Sequence, residues 1–298
     1  MASRRQIAGP RGRLEVEISG PDDGEALIFH MGTPSAASMY APLVKLGADR
    51  GLRHVIYLRP GYGSSARYEG RVVADCAEDV VAVADALGID RFYTVGRSGG
   101  GPHALACAAV LPERVIASAT IAGCAPWSAE GLDWLDGMGQ ENLDEIAAAQ
   151  AGEAELLAFL EPFRAKLTSP NSELHADLGD LLSDVDRAVL TGDFAEYEAE
   201  SMRAGLEHGV WGWFDDDMEI IGDWGFDLSD ISSPVAIWQG AQDRMVPLAH
   251  GEWLAARIPA ARAKLLPDHG HLSLALGHYG ALLDDLIASG RDRGSGSG

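Results

Sequence analysis

The 298-residue sequence lacks any apolar run approaching the ~18 residues needed to span a bilayer. No apolar stretch follows Arg4 and Arg5, as a secretory signal would require. The chain therefore reads as soluble and cytoplasmic. Cysteine is scarce. Cys76, Cys107 and Cys124 are an odd number in apolar surroundings, which suits buried thiols in a reducing compartment better than a disulfide framework. No Lys follows a Gly, so the phosphate-cradling G-x-x-x-x-G-K-[ST] loop is missing, and residues 96–101 do not make G-x-G-x-x-G. With H-E-x-x-H missing too, Asp268, His269 and His271 have no second ligand cluster to complete a metal site. Neither a cofactor nor a metal is expected. Internal repeats and long low-complexity tracts are also absent.

Positive charge is the other shortage. The chain has 23 basic and 45 acidic side chains, a formal charge of −22. Residues 127–232 hold 26 of the acids against Arg164, Lys166, Arg187 and Arg203, and the remainder of the chain balances. Such a field repels phosphate backbones and anionic lipid, which leaves a small molecule as the expected partner and excludes nucleic acid and membrane surfaces. The sequence leaves the oligomeric state open. A content of 47% hydrophobic and 23% charged residues is that of an ordinary globular protein with a sizeable core.

The first 125 residues alternate short β-rich runs with helical ones, an α/β rhythm. Strands are expected at 13–18, 26–29, 54–58, 91–95 and 114–121. Val73, Cys76, Val80, Val83 and Leu87 recur at helical spacing until Gly88. After Ala122 the pattern is helical only, with apolar faces on Leu156, Phe159, Leu160 and Phe163 and on Leu178, Leu181, Leu182, Val185 and Val189. Beyond Pro234 the β pattern resumes at 235–239 and 263–266, with helices near 251–257 and 279–288. The expected fold is a mostly parallel, doubly wound α/β sheet of residues 1–126 and 233–290. An acidic all-helical insertion of residues 127–232 interrupts it, and a flexible Gly/Ser-rich tail of residues 291–298 follows.

The run Phe92–Val95 leads into Gly96-Arg97-Ser98-Gly99-Gly100-Gly101-Pro102, and helix-compatible residues follow. Strand, G-x-S-x-G, helix is the arrangement in which a tight turn lifts a serine hydroxyl above a sheet, beside the positive end of a helix dipole. A serine hydroxyl is a weak nucleophile and needs a histidine to take its proton and an acid to orient that histidine. Asp243 follows one downstream strand. His269 and His271 follow the next, so all three loops open at the carboxyl edge of the sheet, where ligands bind.

These residues make the chain resemble the α/β-hydrolase family, in its branch with a helical cap between strands six and seven. The resemblance covers residues 13–288. It implies Ser98 as nucleophile, Asp243 as triad acid and His271, of the Gly270-His271 pair, as general base. It also implies an oxyanion hole from the N–H groups of Thr33 and Gly99, because Met31-Gly32-Thr33-Pro34 is similar to the family's H-G-x-P turn. Arg59-Pro60-Gly61-Tyr62-Gly63 matches a second family loop. Met31 and Leu58 depart from it, standing where the family often has His and Asp. A serine at the elbow argues against the dehalogenase and epoxide-hydrolase relatives, which use Asp there.

The expectation is a cofactor-independent serine hydrolase acting through an acyl-enzyme on a small, neutral, apolar or aromatic carboxylic ester. Trp213, Phe214 and Trp224 of the cap, with Met245, are the candidate pocket residues. Lactonase, prolyl-type aminopeptidase, amidase and C–C hydrolase activities share the triad and stay open, as does a non-catalytic ligand receptor on the same scaffold. The acidity of the cap reads either as a solvated face or as a field that selects against anionic substrates.

Overall fold

In the computed structural model, which describes residues 2–36, 38–169, 173–259 and 261–295, the sheet has eight strands in the order β1-β2-β4-β3-β5-β6-β7-β8. They are β1 (Ser3–Gly9), β2 (Gly12–Ser19), β3 (Glu25–His30), β4 (Leu52–Tyr57), β5 (Phe92–Arg97), β6 (Val115–Ile121), β7 (Val235–Gly240) and β8 (Ala261–Leu266). β1 and β2 run antiparallel to their neighbours, and the pairings from β4 to β8 are parallel. The central strands β3 and β5 are covered on both faces, which explains their near-continuous apolar sequences. β1 lies outside the expected strands. Only Ile7 of its residues is buried, so it leaves almost no alternation to read, and pairing with β2 defines it.

Helices α2 (Cys76–Ala86), α3 (Gly101–Val110) and α10 (Leu248–Arg257) pack on one face of the sheet. α1 (Ala41–Ala48) and α11 (His271–Ser295) pack on the other. Residues 291–295 of the expected tail continue α11, while residues 296–298 lie outside the described residues. All three cysteines are buried and free. Among the described residues, no helix is long and apolar enough to cross a membrane.

Between β6 and β7 the chain is helical: α4 (Gln140–Ala151), α5 (Glu153–Leu167), α6 (Leu174–Asp177), α7 (Asp184–Val189), α8 (Gly192–Leu206) and α9 (Trp211–Ile221). The apolar stretch 178–189 is broken rather than one continuous helix, because Gly179 takes φ +50° and a new helix starts after Ser183. A third apolar cluster, including Leu156, Leu160, Phe194 and Leu206, fills this layer and reaches Leu272 of α11.

Five of the insertion's 26 acids face arginines of the sheet domain. Arg67 holds Asp215 through two bonds of 2.8 and 2.9 Å. Arg97 meets Glu198 at 2.8 Å and Arg244 meets Asp180 at 3.1 Å. Arg59 and Arg71 both bind Asp216, and Arg71 also binds Glu219. The charge excess of the insertion is thus in part a docking surface whose basic complement lies 64 to 157 residues away in the sequence.

Candidate active site

Ser98 stands between β5 and α3 with φ +52°, a left-handed conformation that a residue with a Cβ adopts only at a cost. The turn closes because Gly96 and Gly100 carry no side chain. A Cβ on Gly96 would run into the backbone of Gly100, and one on Gly100 into the carbonyl oxygens of His30 and Met31. The serine is half-buried and lines a cavity of about 150 Å³ between the sheet edge and the helical layer.

The acid and the histidine come together from the two loops expected. His271 Nδ1 lies 2.8 Å from Asp243 Oδ2. The other carboxylate oxygen, Oδ1, accepts the N–H groups of Met245 and Val246, each at 2.8 Å, and Gln239 donates to Oδ2 at 3.2 Å. Both members of the pair are almost wholly buried. With Nδ1–H given to the carboxylate, Nε2 is the nitrogen left to accept a proton. His269 is engaged elsewhere, its Nε2 lying 2.8 Å from His278 Nε2. The structure therefore separates the two histidines that the spacing alone left open.

His271 is also the first residue of α11, and its N–H, with those of Leu272 and Ser273, is accepted by the Asp186 carboxylate at 2.9 Å in each case. Ser183 donates to the same carboxylate at 2.8 Å. Gly270 leaves the space, for a Cβ there would overlap Asp186. Asp186 belongs to α7 of the insertion, is fully buried, and fills the anion-seeking end of the helix that presents the histidine. Sequence reasoning missed it, since no local pattern links residue 186 to residue 271.

Thr33 and Gly99 are neighbours, as a shared oxyanion site requires: a Cβ on Gly99 would sit 2.5 Å from Thr33 Oγ1. Arg59 ties the Thr33 loop down, donating to Met31 O at 2.6 Å and to Thr33 Oγ1 at 3.1 Å. The same guanidinium binds Asp216, which also accepts from Thr33 Oγ1 and, at 2.9 Å, from Tyr62. Desolvation is the largest influence on the Asp216 carboxyl and would raise its pKa. The joint pull of Arg59 and Arg71 overcomes it and holds the group well below the usual carboxylate range.

His103, Asp216 and Glu219 form the one His/Cys/Asp/Glu group among the described residues close enough to share a cation. Its carboxylates already serve Arg59 and Arg71, and His103 bridges Glu219 and Gly99 O at 2.8 and 2.9 Å. The site therefore reads as an ion-pair network rather than a metal centre.

Of the pocket residues expected from sequence, Trp213 and Met245 line the cavity. Phe214 and Trp224 are not among its lining. Phe214 packs edge-on to Trp211 near Arg67, and Trp224 stacks on Phe226 with its indole N–H donated to Ile220 O. Phe214 belongs to the helical layer's packing, and Trp224 to the apolar cluster on the sheet face that carries α2 and α3. The rest of the lining is mainly apolar, including Met138, Phe159, Phe163 and Leu181, with Glu141, Glu145 and Asp217 as its acids.

The sequence profile of the alpha/beta hydrolase fold matches residues 25–277. The chain belongs to the α/β-hydrolase family. It is 28% identical over 261 residues to a putative carbamate hydrolase RutD of Variovorax paradoxus (strain S110), covering 87% of this chain and 89% of that protein. It is also 26% identical over 262 residues to 3-oxoadipate enol-lactonase 1 of Acinetobacter baylyi, covering 87% and 86%. Among solved structures, an alpha/beta hydrolase fold protein from Nakamurella multipartita superposes with a TM-score of 0.67 at 21% identity over 97% of this chain and all of the other. Carboxylesterase CesB from Bacillus subtilis does so with 0.65 at 18% identity, over 96% and 92%. Each shares the fold. The range of reactions in their names leaves the bond cleaved here to be argued from the site.

Proposed function

We propose that the protein is a serine hydrolase that cleaves small carboxylic esters through an acyl-enzyme. The observation that carries this reading is the buried His271–Asp243 pair on the same sheet edge as Ser98, whose strained turn faces the cavity. Ser98 Oγ attacks the carbonyl carbon while its proton passes to His271 Nε2. The N–H groups of Gly99 and Thr33 hold the oxyanion, a contribution worth about 10²- to 10³-fold in turnover for one such donor. The C–O bond breaks as His271 hands the proton to the departing alcohol. Water then attacks the acyl carbon, His271 takes its proton, and collapse releases the acid and returns Ser98 to its hydroxyl.

The cavity is small, about 150 Å³, and its lining is largely apolar. Both features favour a small ester with an apolar or aromatic body, and the acids of the lining disfavour an anionic one. The test is labelling by a fluorophosphonate probe together with hydrolysis of short p-nitrophenyl esters. Ser98 should be labelled and Ser98→Ala should be inactive. An unlabelled Ser98, or hydrolysis unchanged in Ser98→Ala, would leave a ligand receptor on this scaffold as the better reading.

A further inference from the structure

We infer that the cavity above Ser98 contains a receptor for an organic ammonium group, built from Asp217 of α9 and Glu145 and Glu141 of α4, so that the preferred substrate has an apolar body bearing a protonated amine. This rests on the hydrolase reading and narrows its substrate.

Three acids line the cavity, and none of the lining residues described is Lys, Arg or His. Asp217 is only 6% exposed, yet its Oδ2 has no hydrogen-bond donor, and neither has Glu141 Oε2. A buried carboxylate oxygen without a donor is costly, and a group that offers donors and positive charge relieves that cost. The nearby cation, Arg71, does not fill the role, because it is matched by Asp216 and Glu219. Glu145 accepts the indole N–H of Trp213, which turns its carboxylate into the same space as Asp217.

Without a guest, one proton between Glu145 and Asp217 relieves the conflict. Burial first, then the negative charge of Glu145, pushes the Asp217 carboxyl well above the ordinary range, with Asp216 adding to the rise and Arg71 opposing it. Burial also raises Glu145 against the hydrogen bonds from Asp217 and Trp213. Glu141 is raised by burial and by its neighbour Asp180, with Lys166 opposing. An ammonium group offers N–H donors and a positive charge at once, so it displaces the shared proton: the amine enters and H⁺ leaves to solvent. The surrounding apolar walls, Phe159, Phe163 and Ile146, hold the hydrocarbon part.

Two measurements test this. Calorimetric titration of the whole protein with benzylamine, in two buffers of different ionisation enthalpy near pH 7, should show binding with close to one proton released, whereas benzyl alcohol should not bind detectably. Kinetically, 4-(ammoniomethyl)phenyl acetate should be preferred in kcat/KM over its neutral isostere 4-ethylphenyl acetate by about tenfold or more, the scale of one charged hydrogen bond. That ratio should fall toward unity in both Glu145→Gln and Asp217→Asn, isosteric changes whose folding is checked by thermal melting. Absence of benzylamine binding, binding without proton release, or an equal preference in wild type would overturn the proposal. Turnover of neither ester, with Ser98 unlabelled, would sink the hydrolase reading instead, and the calorimetry would still decide the ammonium site.

Discussion

Asp186 Oδ2 accepts the backbone N–H of His271 at 2.9 Å, so a residue of the helical insertion closes the helix that begins with the proposed general base. The carboxylate accepts four hydrogen bonds in all, three of them from the first turn of α11. One carboxylate therefore joins the insertion to the helix that carries the histidine. Asp186→Ala leaves three buried N–H groups without an acceptor. The expected loss is about 1–3 kcal/mol in denaturant unfolding, with kcat down by about 10- to 100-fold as the imidazole drifts and KM nearly constant. Asp186→Asn, which keeps one carbonyl acceptor, should fall between. A variant with wild-type kcat would show that His271 is held by Asp243 alone.

The two histidines after β8 should behave in opposite ways. His271→Ala removes the ring bonded to Asp243 and should lower kcat by about 10⁴-fold or more, because the serine then has no proton acceptor. His269→Ala breaks only the contact with His278 and should leave ester hydrolysis close to wild type. Steady-state kinetics of the two proteins side by side decide the matter, and turnover retained in His271→Ala would reverse the assignment.

The parts of the molecule that were legible in the sequence are those that local patterns encode. The elbow around Ser98 was visible because its glycines, strand and helix are contiguous, and Asp243 and His271 because each follows a β-rich run. The Gly270-His271 pattern pointed to His271, whereas the contact of His269 with His278, nine residues on within a helix, had no local signature. The burial of the acids in 215–219 was not legible, for a physical reason. Four carboxylates on one helix usually mark a solvated face, but here Asp215, Asp216, Asp217 and Glu219 are all buried. Arg59, Arg67 and Arg71 approach from one distant loop and make the burial of Asp215, Asp216 and Glu219 tolerable. Such pairing has no signature at either end of the chain.

Asp79 predicts a pH effect on stability. Burial raises its carboxyl pKa to about 6 against the opposing pull of Arg11 and Arg71. In the unfolded chain the group titrates near ~3.9. The folded state therefore favours the protonated form, and the stability it contributes is full below about pH 4 and is lost as pH rises through about 6. The upper bound is roughly 3 kcal/mol. Asp79→Asn should accordingly unfold at higher urea than wild type at pH 8 and at a similar concentration near pH 4. An equal gain at both would assign the effect to something other than this titration.

Asp216 carries the opposite sign and the heavier consequence. Its pKa is depressed by Arg59 and Arg71, so its stabilisation is complete above about pH 4 and fails only as pH falls far below that, outside the working range. At neutral pH the test is therefore substitution. Asp216→Ala strands the buried guanidinium of Arg59 and leaves Arg71 with Glu219 alone, and should cost about 3–5 kcal/mol. It also releases Thr33 and Tyr62, both of which donate to the same carboxylate. Since Thr33 supplies one proposed oxyanion donor, any Asp216→Asn protein that folds should lose kcat more than it gains KM. Arg59→Lys should not rescue the loop, because a single ammonium cannot serve Met31 O, Thr33 Oγ1 and Asp216 together as the guanidinium fork does. Unfolding curves and kcat measured on these three proteins separate anchoring of the loop from mere docking of the helices: a stability loss with unchanged kcat would confine Asp216 to the latter.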